Sequence, residues 1–242
     1  MAFAPRHGKD IKFLFNGRKF SDAFQNISMP GVAEPVETTG FSLAAKTYIQ
    51  GLIDGTASAE GFFSNADTLD VDARLNASIA KTDDSLWAYI IGVDAAGNKA
   101  RCIRAISTSV TKDATFDGAL MVTLEGQSVV GIENSTILFP ETTLTTTTNS
   151  TTHDNLVATT AGGSAYVHLL TATAPVGFAL TLRNSTDNFA ADDTLLATFT
   201  IGASSGNHER IIFSGTVKRY VRAALTLASG TVVLWVAYYR NA

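Results

Sequence analysis

Apolar and polar residues alternate with a period of two along most of this chain, and the alternation is densest between residues 86 and 128. Residues 86–93 (LWAYIIGV) are aromatic and β-branched and run into Asp94, Gly97 and Asn98, which suit a tight turn, so a hairpin is predicted there. Residues 101–111 predict a long strand with two mixed faces, Arg101, Ile103 and Ala105 on one and Cys102, Arg104 and Ile106 on the other. Asp117 and Gly118 turn the chain into a third strand, 119–128, where Leu120, Val122 and Leu124 share one face and Met121, Thr123, Glu125 and Gln127 the other. The meander is expected to pack on one side and meet something polar on the other.

Ahead of the meander, residues 1–9 read as an arm without structure of its own. Strands are predicted at 11–15, turned at Asn16 and Gly17, and at 21–29. Residues 32–51 contain Pro35, Glu34, Glu37 and Gly40 and predict a long loop without regular structure, in which Phe41, Leu43, Tyr48 and Ile49 would be costly to leave in water. That loop is expected to fold back on its own core or dock on a neighbour. A strand at 56–63 and a helix at 66–81 follow, the helix capped by Asn65 and laying Leu69, Ala73, Ala77 and Ala80 against a sheet, with Val71, Leu75 and Ile79 widening the apolar sector. Residues 144–152 (LTTTTNSTT) are polar and without period, and predict a linker at 145–152 between a first domain, 1–144, and a second, 153–242. Six short strands are expected beyond it, at 165–172, 178–183, 195–201, 209–213, 220–227 and 231–239, forming a small β-sandwich. The fold class is mainly β with one flanking helix.

Composition sharpens the picture. Only 17% of the 242 residues are charged, which implies a large interior or a surface covered by other subunits, and covered surface is the reading adopted. The net charge of −4 and the absence of any basic run argue against a protein that grips nucleic acid. Residues 1–144 carry 12 Lys and Arg against 17 Asp and Glu, residues 145–242 carry 6 against 5, so the acid excess belongs to the first region. The single cysteine, Cys102, excludes an internal disulfide and is expected to be a small buried group. Arg6, His7, Lys9 and Asp10 stand where a signal peptide needs an apolar core, and the longest apolar run, 232–239, is too short to span a bilayer, so synthesis and retention in a cytoplasm without membrane insertion are expected.

Little in the chain has the pattern of reaction chemistry. The histidines are His7, His153, His168 and His208, and only His208 sits beside an acid, Glu209, whose side chain should face the other way along a strand. Asp83 and Asp84 fit a turn better than a calcium site. The Asn-X-Ser/Thr triplets at Asn76, Asn134, Asn149 and Asn184 have no meaning without an export signal. Arg183, Arg210, Lys218, Arg219 and Arg222 read as scattered solvated charges before a polyanion-binding face, and Trp235, Tyr238 and Tyr239 as core before a sugar platform. No catalytic residue, metal site or cofactor is expected.

Several stretches together resemble the major tail tube protein of long-tailed (siphovirus-type) bacteriophages: KFLFNG at 12–17, ETTGF at 37–41, KTYIQG at 46–51, Gly55-Thr56, and VTLEGQ at 122–127. The resemblance covers residues 10–130 and, more loosely, the C-terminal part, where KRYVRA at 218–223 and the final 235–239 strand are similar to β-sandwich accessory domains appended to such proteins. It implies a tail-tube β-sandwich or barrel with one flanking helix, subunits that close into homohexameric rings, and rings that stack into the tube through which DNA passes. It further implies tape-measure, tail-terminator and tail-tip proteins as partners, DNA only in transit, and a place in the virion after synthesis in the host cytoplasm. Glu37, Phe41, Leu43, Lys46 and Tyr48 are the expected ring and stacking contacts. Thr123, Glu125 and Gln127 are expected to face the lumen, where an acidic wall would not retain passing phosphates. The alternative is a capsid decoration or glycan-binding adhesion module, which an exposed aromatic at Trp235 or Tyr239 would support.

Overall fold

The computed structural model describes residues 11–37, 48–63, 71–79, 85–114 and 118–241, with side chains at all of these except 32–37 and 48–54. In chain order the elements are β1 (Lys12–Phe15), β2 (Arg18–Lys19), β3 (Phe24–Ser28), β4 (Gly31–Glu37), β5 (Tyr48–Phe62), α1 (Val71–Ile79), β6 (Ser85–Ile90), β7 (Lys99–Asp113) and β8 (Met121–Leu144). The chain continues through β9 (Thr148–Asn149), β10 (His153–Asp154), β11 (Gly163–Val176), β12 (Ala179–Ser185), β13 (Thr194–Thr198), β14 (His208–Phe213), β15 (Tyr220–Thr226) and β16 (Ser229–Arg240). The fold is mainly β, with antiparallel pairing throughout the strand ladders and one helix among the described residues. All three meander strands and all six C-terminal strands expected from the sequence are present. The N-terminal arm, Asn65, Asp83 and Asp84 lie outside the described residues.

The chain divides into two compact units, one made of 1–22, 86–102 and 133–242, the other of 23–85 and 103–132. In the first, strands run in the order β14-β11-β16-β8-β7-β6-β1-β2, and a second sheet runs β10-β15-β12-β13 with β9 also on β15. Alternate residues of β11 and β16 explain the architecture. Ala165, Val167, Leu169, Leu234 and Val236 pack with Leu180, Leu182, Val221, Ala223 and Leu225 of the second sheet. From the opposite face, Tyr166, Leu170, Trp235 and Ala237 pack with Leu14, Ala88, Ile90, Ala100 and Cys102. Both faces of these two strands are therefore covered, which is why the runs 165–170 and 232–238 carry almost no solvent-facing polar position. Phe13, Phe15 and Trp87 add an aromatic group, with both phenyl rings edge-on to the indole at 5.6 and 5.5 Å.

Two expectations need correction in this unit. The Thr-rich stretch at 145–152 lies inside the unit and serves as an edge of its second sheet. Asn149 and Thr148 pair with Ala224 and Leu225, Ser150 exchanges hydrogen bonds with the backbone of Ala223, and Thr147 does the same with Leu227. Hydroxyl side chains satisfy backbone groups as well as they satisfy linkers in water, so composition alone does not separate the two cases. The third meander strand also does not stop near residue 128. β8 is 24 residues long, passing through Gly131 at φ 82°, a conformation that glycine adopts without strain.

In the second unit, β5 pairs on one edge with β3 and β4 and on the other with β8. Of the segment 32–51, expected as an irregular loop, the described residues 32–37 and 48–51 lie on β4 and β5, which pair antiparallel from Gly31 with Gly55 to Glu37 with Tyr48. Pro35 falls where the register shifts after Ala33, the kind of irregularity at which strands accommodate a residue without an N–H. The helix is described over Val71–Ile79 and buries Val71, Leu75 and Ser78, spaced i, i+4, i+7. Ala73 and Ala77, expected to face a sheet, are exposed, as is Ile79. Ser78 tolerates burial by donating its hydroxyl to the Leu75 carbonyl at 2.7 Å. Gly61 lets β5 approach the chain at Ala23, whose carbonyl oxygen would lie 2.2 Å from a Cβ there and instead accepts the Phe62 N–H at 2.7 Å.

Candidate assembly surface

In the second unit β5 and β8 form a two-faced ladder, built by strict alternation. Ala57, Ala59, Val122 and Leu124 are buried on one face. On the other, Thr56 stands opposite Gln127, Ser58 opposite Glu125, Glu60 opposite Thr123 and Phe62 opposite Met121. Along β7, buried Ile103, Ala105 and Ser107 alternate with half-buried Arg104 and exposed Ile106 and Thr108. The strand turns its buried side over between Cys102 and Ile103, both fully buried, which accounts for the mixed faces read from its sequence.

Thr123 and Gln127 are half-buried and Glu125 is exposed, so the structure brings these three predicted residues onto one face, away from the apolar side of their strand. Glu125 accepts a hydrogen bond from Ser109 at 2.9 Å, and the Gln127 amide donates to the Gly55 carbonyl at 3.4 Å. The ladder presents hydroxyl, amide and carboxylate groups, with Phe62 as an exposed apolar member, 46% accessible. Such a face can meet water or a hydrated ligand but holds no group poised for bond making. Of the predicted ring and stacking contacts, Glu37 and Tyr48 are cross-strand partners at the described end of the β4–β5 hairpin. Phe41, Leu43 and Lys46 lie outside the described residues.

The remaining candidates resolve differently. Arg183 and Arg222 both bind Asp193, Lys218 binds Asp192, Arg219 binds Asp154 and Arg210 binds Glu133, so the five cations are neither a polyanion face nor solvated singly. Each is matched to an acid brought from elsewhere in the chain by strand pairing, a relationship without a sequence signal. Trp235 is fully buried and donates from its indole to Asp94 at 3.1 Å, which removes it as a sugar platform, while Tyr239 is half-buried. Glu209 accepts from the backbone N–H groups of Thr200 and Ile201 and from the Thr200 hydroxyl, a fixed structural role beside His208. Cys102 is buried as expected, and desolvation pushes its thiol up to about 12.

Two polar constellations, one buried and one partly buried, escaped the sequence entirely. Glu133 accepts from Ser164 and Tyr166 hydroxyls, each at 2.5 Å, and from Arg210 at 2.6 Å, while Arg210 also donates to the Tyr166 hydroxyl at 3.0 Å. Lys12 bridges Asp94 and Glu141 at 2.9 and 2.7 Å, with Lys19 also on Glu141 at 3.3 Å. Burial works against the charge on Lys12 and on Glu141, yet their mutual hydrogen bonds and attraction leave the ammonium pKa raised and the carboxyl lowered. Both groups tie strands together and open onto no reaction site. Among the described residues no cluster of three His, Cys, Asp or Glu is placed to hold a metal.

No protein-family model and no curated protein matches the sequence. Among solved structures, a chain of the tail of a gene transfer agent particle refined with C6 symmetry aligns over 54% of this chain and 98% of its own, at 19% identity and a TM-score of 0.43. The tail tube of phage SPP1 aligns over 54% of this chain and 79% of its own, at 13% identity and a TM-score of 0.45. The SPP1 Dit protein, described as a hub of the adsorption apparatus in phages infecting Gram-positive bacteria, aligns over 95% of this chain and 99% of its own, at 15% identity and a TM-score of 0.39.

Proposed function

We propose that this chain is a structural subunit of a phage-type tail, which closes into six-membered rings and stacks them into the tube that conducts DNA. The observation that carries the reading is the two-faced β5–β8 ladder: one face is sealed by apolar residues and the other aligns Ser58, Glu60, Thr123, Glu125 and Gln127 as a continuous polar wall. It is supported by the residues at 12–17, 37–41, 46–51 and 122–127 that resemble the tail tube family, two of which lie on the strands of that ladder. In this reading the polar face lines the lumen, and the β4–β5 hairpin, with Glu37, Phe41, Leu43, Lys46 and Tyr48 at and beyond its described end, makes the ring and stacking contacts. A head-to-tail contact that closes by rotation gives the ring, and a second contact that does not close gives the filament. The tape-measure, terminator and tip proteins are the expected partners, and the virion the expected location.

Negative-stain imaging of the purified full chain tests the assembly. Tubes built of stacked rings are the expected result, and deleting residues 38–47 should leave a soluble monomer. Single closed rings that never stack would assign the chain to a tail hub instead. A protein that stays monomeric at every concentration, or whose deletion variant forms tubes as readily as the parent, would overturn the reading.

A further inference from the structure

In the first unit the start of β7, the middle of β8, the end of β16 and the β10 segment enclose a depression of about 320 Å³ whose lining includes Lys99, Thr136, His153, Asp154, Tyr239 and Arg240. A second depression, of about 420 Å³, shares Lys99 and adds the exposed apolar side chains Ile91 and Val93. The cations here differ from those elsewhere in the unit. Of the unit's other cations, Lys12, Lys19, Arg183, Arg210, Lys218, Arg219 and Arg222 each reach a carboxylate, while Arg101 lines the second depression. Lys99 instead donates to the Thr136 hydroxyl at 2.6 Å, and Arg240 to the Val157 carbonyl, both neutral acceptors.

The two charges also oppose one another. Burial lowers the Lys99 ammonium pKa, and the charge of Arg240 lowers it further. His153 is lowered by burial, then by Lys99 and Arg240, with only Asp154 acting the other way. Asp154 lines the depression, but its carboxylate is already held by the Arg219 guanidinium through two hydrogen bonds of 2.7 Å and by the Leu156 N–H at 2.7 Å. Like charges gathered in a partly desolvated hollow without a counter-ion cost energy that a bound anion would recover. Neutral donors complete the set. Thr136 and Asn134 from β8 and Tyr239 from β16 line the same hollow and carry neutral polar groups, so an anion with three or more oxygens would find partners beyond the two cations.

We propose that this depression is a phosphate-binding site, with Lys99 and Arg240 as the charged ligands and the adjoining Ile91 and Val93 surface receiving the organic part of a small phosphate ester. The site does not depend on ring or tube formation. The test uses the full chain at constant ionic strength maintained with chloride, titrated with inorganic phosphate, glycerol phosphate or acetate, and followed by calorimetry and by NMR of the Lys99 side chain. Saturable binding of one phosphate per chain is expected, at least tenfold weaker in Lys99→Gln and in Arg240→Gln, retained within a fewfold in Arg240→Lys, and unchanged in Lys218→Gln, whose ammonium belongs to Asp192. Phosphate should also raise the Lys99 pKa. Tighter binding of glycerol phosphate than of inorganic phosphate would assign the apolar surface to the ester, and equal binding would confine the site to the phosphoryl group, which overturns that part. Should Arg240→Gln fail to fold, Lys99→Gln decides, since that side chain is only partly buried and stands at the start of β7. Binding that never saturates, that acetate matches, or that survives Lys99→Gln at full strength would overturn the proposal.

Discussion

The backbone N–H of Gly17 donates to Nδ1 of His168 across 3.1 Å, from the turn between β1 and β2 to a fully buried ring on β11. That bond fixes the tautomer, because an Nδ1 that accepts must be unprotonated. Burial, and the nearby His208, depress the ring pKa to about 3. Its ordinary value is near 6.5, so the unfolded chain takes up a proton that the folded chain refuses. His168 therefore contributes stability that is complete above pH 6.5 and is lost progressively as pH falls towards 3. The slope approaches about 1.4 kcal/mol per pH unit for a single such group. Urea denaturation of the parent and of His168→Gln between pH 7 and 4.5 should give stabilities that converge as the pH falls. His153, whose pKa is also lowered by burial, is common to both proteins and cancels in the comparison. Parallel curves would mean the ring is protonated in the folded chain.

Gly17 itself is constrained twice. Its φ is 71°, and a Cβ would meet the Gly206 carbonyl oxygen at 2.3 Å. Gly17→Ala should lower stability by at least the roughly 1–3 kcal/mol of backbone strain, read as a fall in the urea midpoint. The contact adds to this because the clashing atom is backbone.

Truncating Arg210 leaves the Glu133 carboxylate buried with only neutral donors. Side chains 7% and 10% accessible make this a buried pair, and Arg210→Met should cost about 3–5 kcal/mol. The double change Glu133→Gln with Arg210→Met removes both charges and should recover part of that loss in a double-mutant cycle. A strictly additive cycle would contradict the coupling.

The Cys102 thiol, pushed up to about 12 by burial, should be silent towards alkylating reagents in the folded protein. Labelling at pH 8 should become measurable only as denaturant is added, at a rate that follows unfolding. Rapid labelling of the native chain would require an opening of the β7–β8 region that the packing does not provide.

A chain cut after residue 144 would lose Tyr166, Leu170, Trp235 and Ala237, the half of a shared core that covers Leu14, Ala88 and Ile90. The truncated protein should be insoluble or unfolded by circular dichroism. A cooperative, soluble fragment 1–144 would restore the domain boundary read from the Thr-rich sequence.

On the proposed inner wall, Glu125→Lys replaces an exposed carboxylate by a phosphate ligand repeated around every ring. Tubes should form as before and retain DNA more strongly, with retention falling steeply as salt is added, because each lysine–phosphate contact releases a counter-ion. DNA release measured at low and high salt compares the variant with its parent. Equal release at both salts would remove Glu125 from the lumen.

Alternation along the chain specified the strands whose environment repeats every two residues. Thr123, Glu125 and Gln127 lie opposite buried Val122 and Leu124 because a half-buried strand writes its geometry directly into alternation. The six C-terminal strands were legible as short β-rich runs spaced by turn residues, and the burial of Cys102 from its place in the middle of a strand. What alternation cannot record is the partner. That β11 and β16 carry a layer on each face, that Thr147 and Ser150 close a sheet edge, and that Pro35 falls at a register shift all depend on strands far away in the chain. The ion pairs are the extreme case, since Glu133 and Arg210 are 77 residues apart and neither has a local pattern. Only the tertiary structure decides such pairings, because the energy of a buried charge is set by which groups the fold brings within hydrogen-bonding distance.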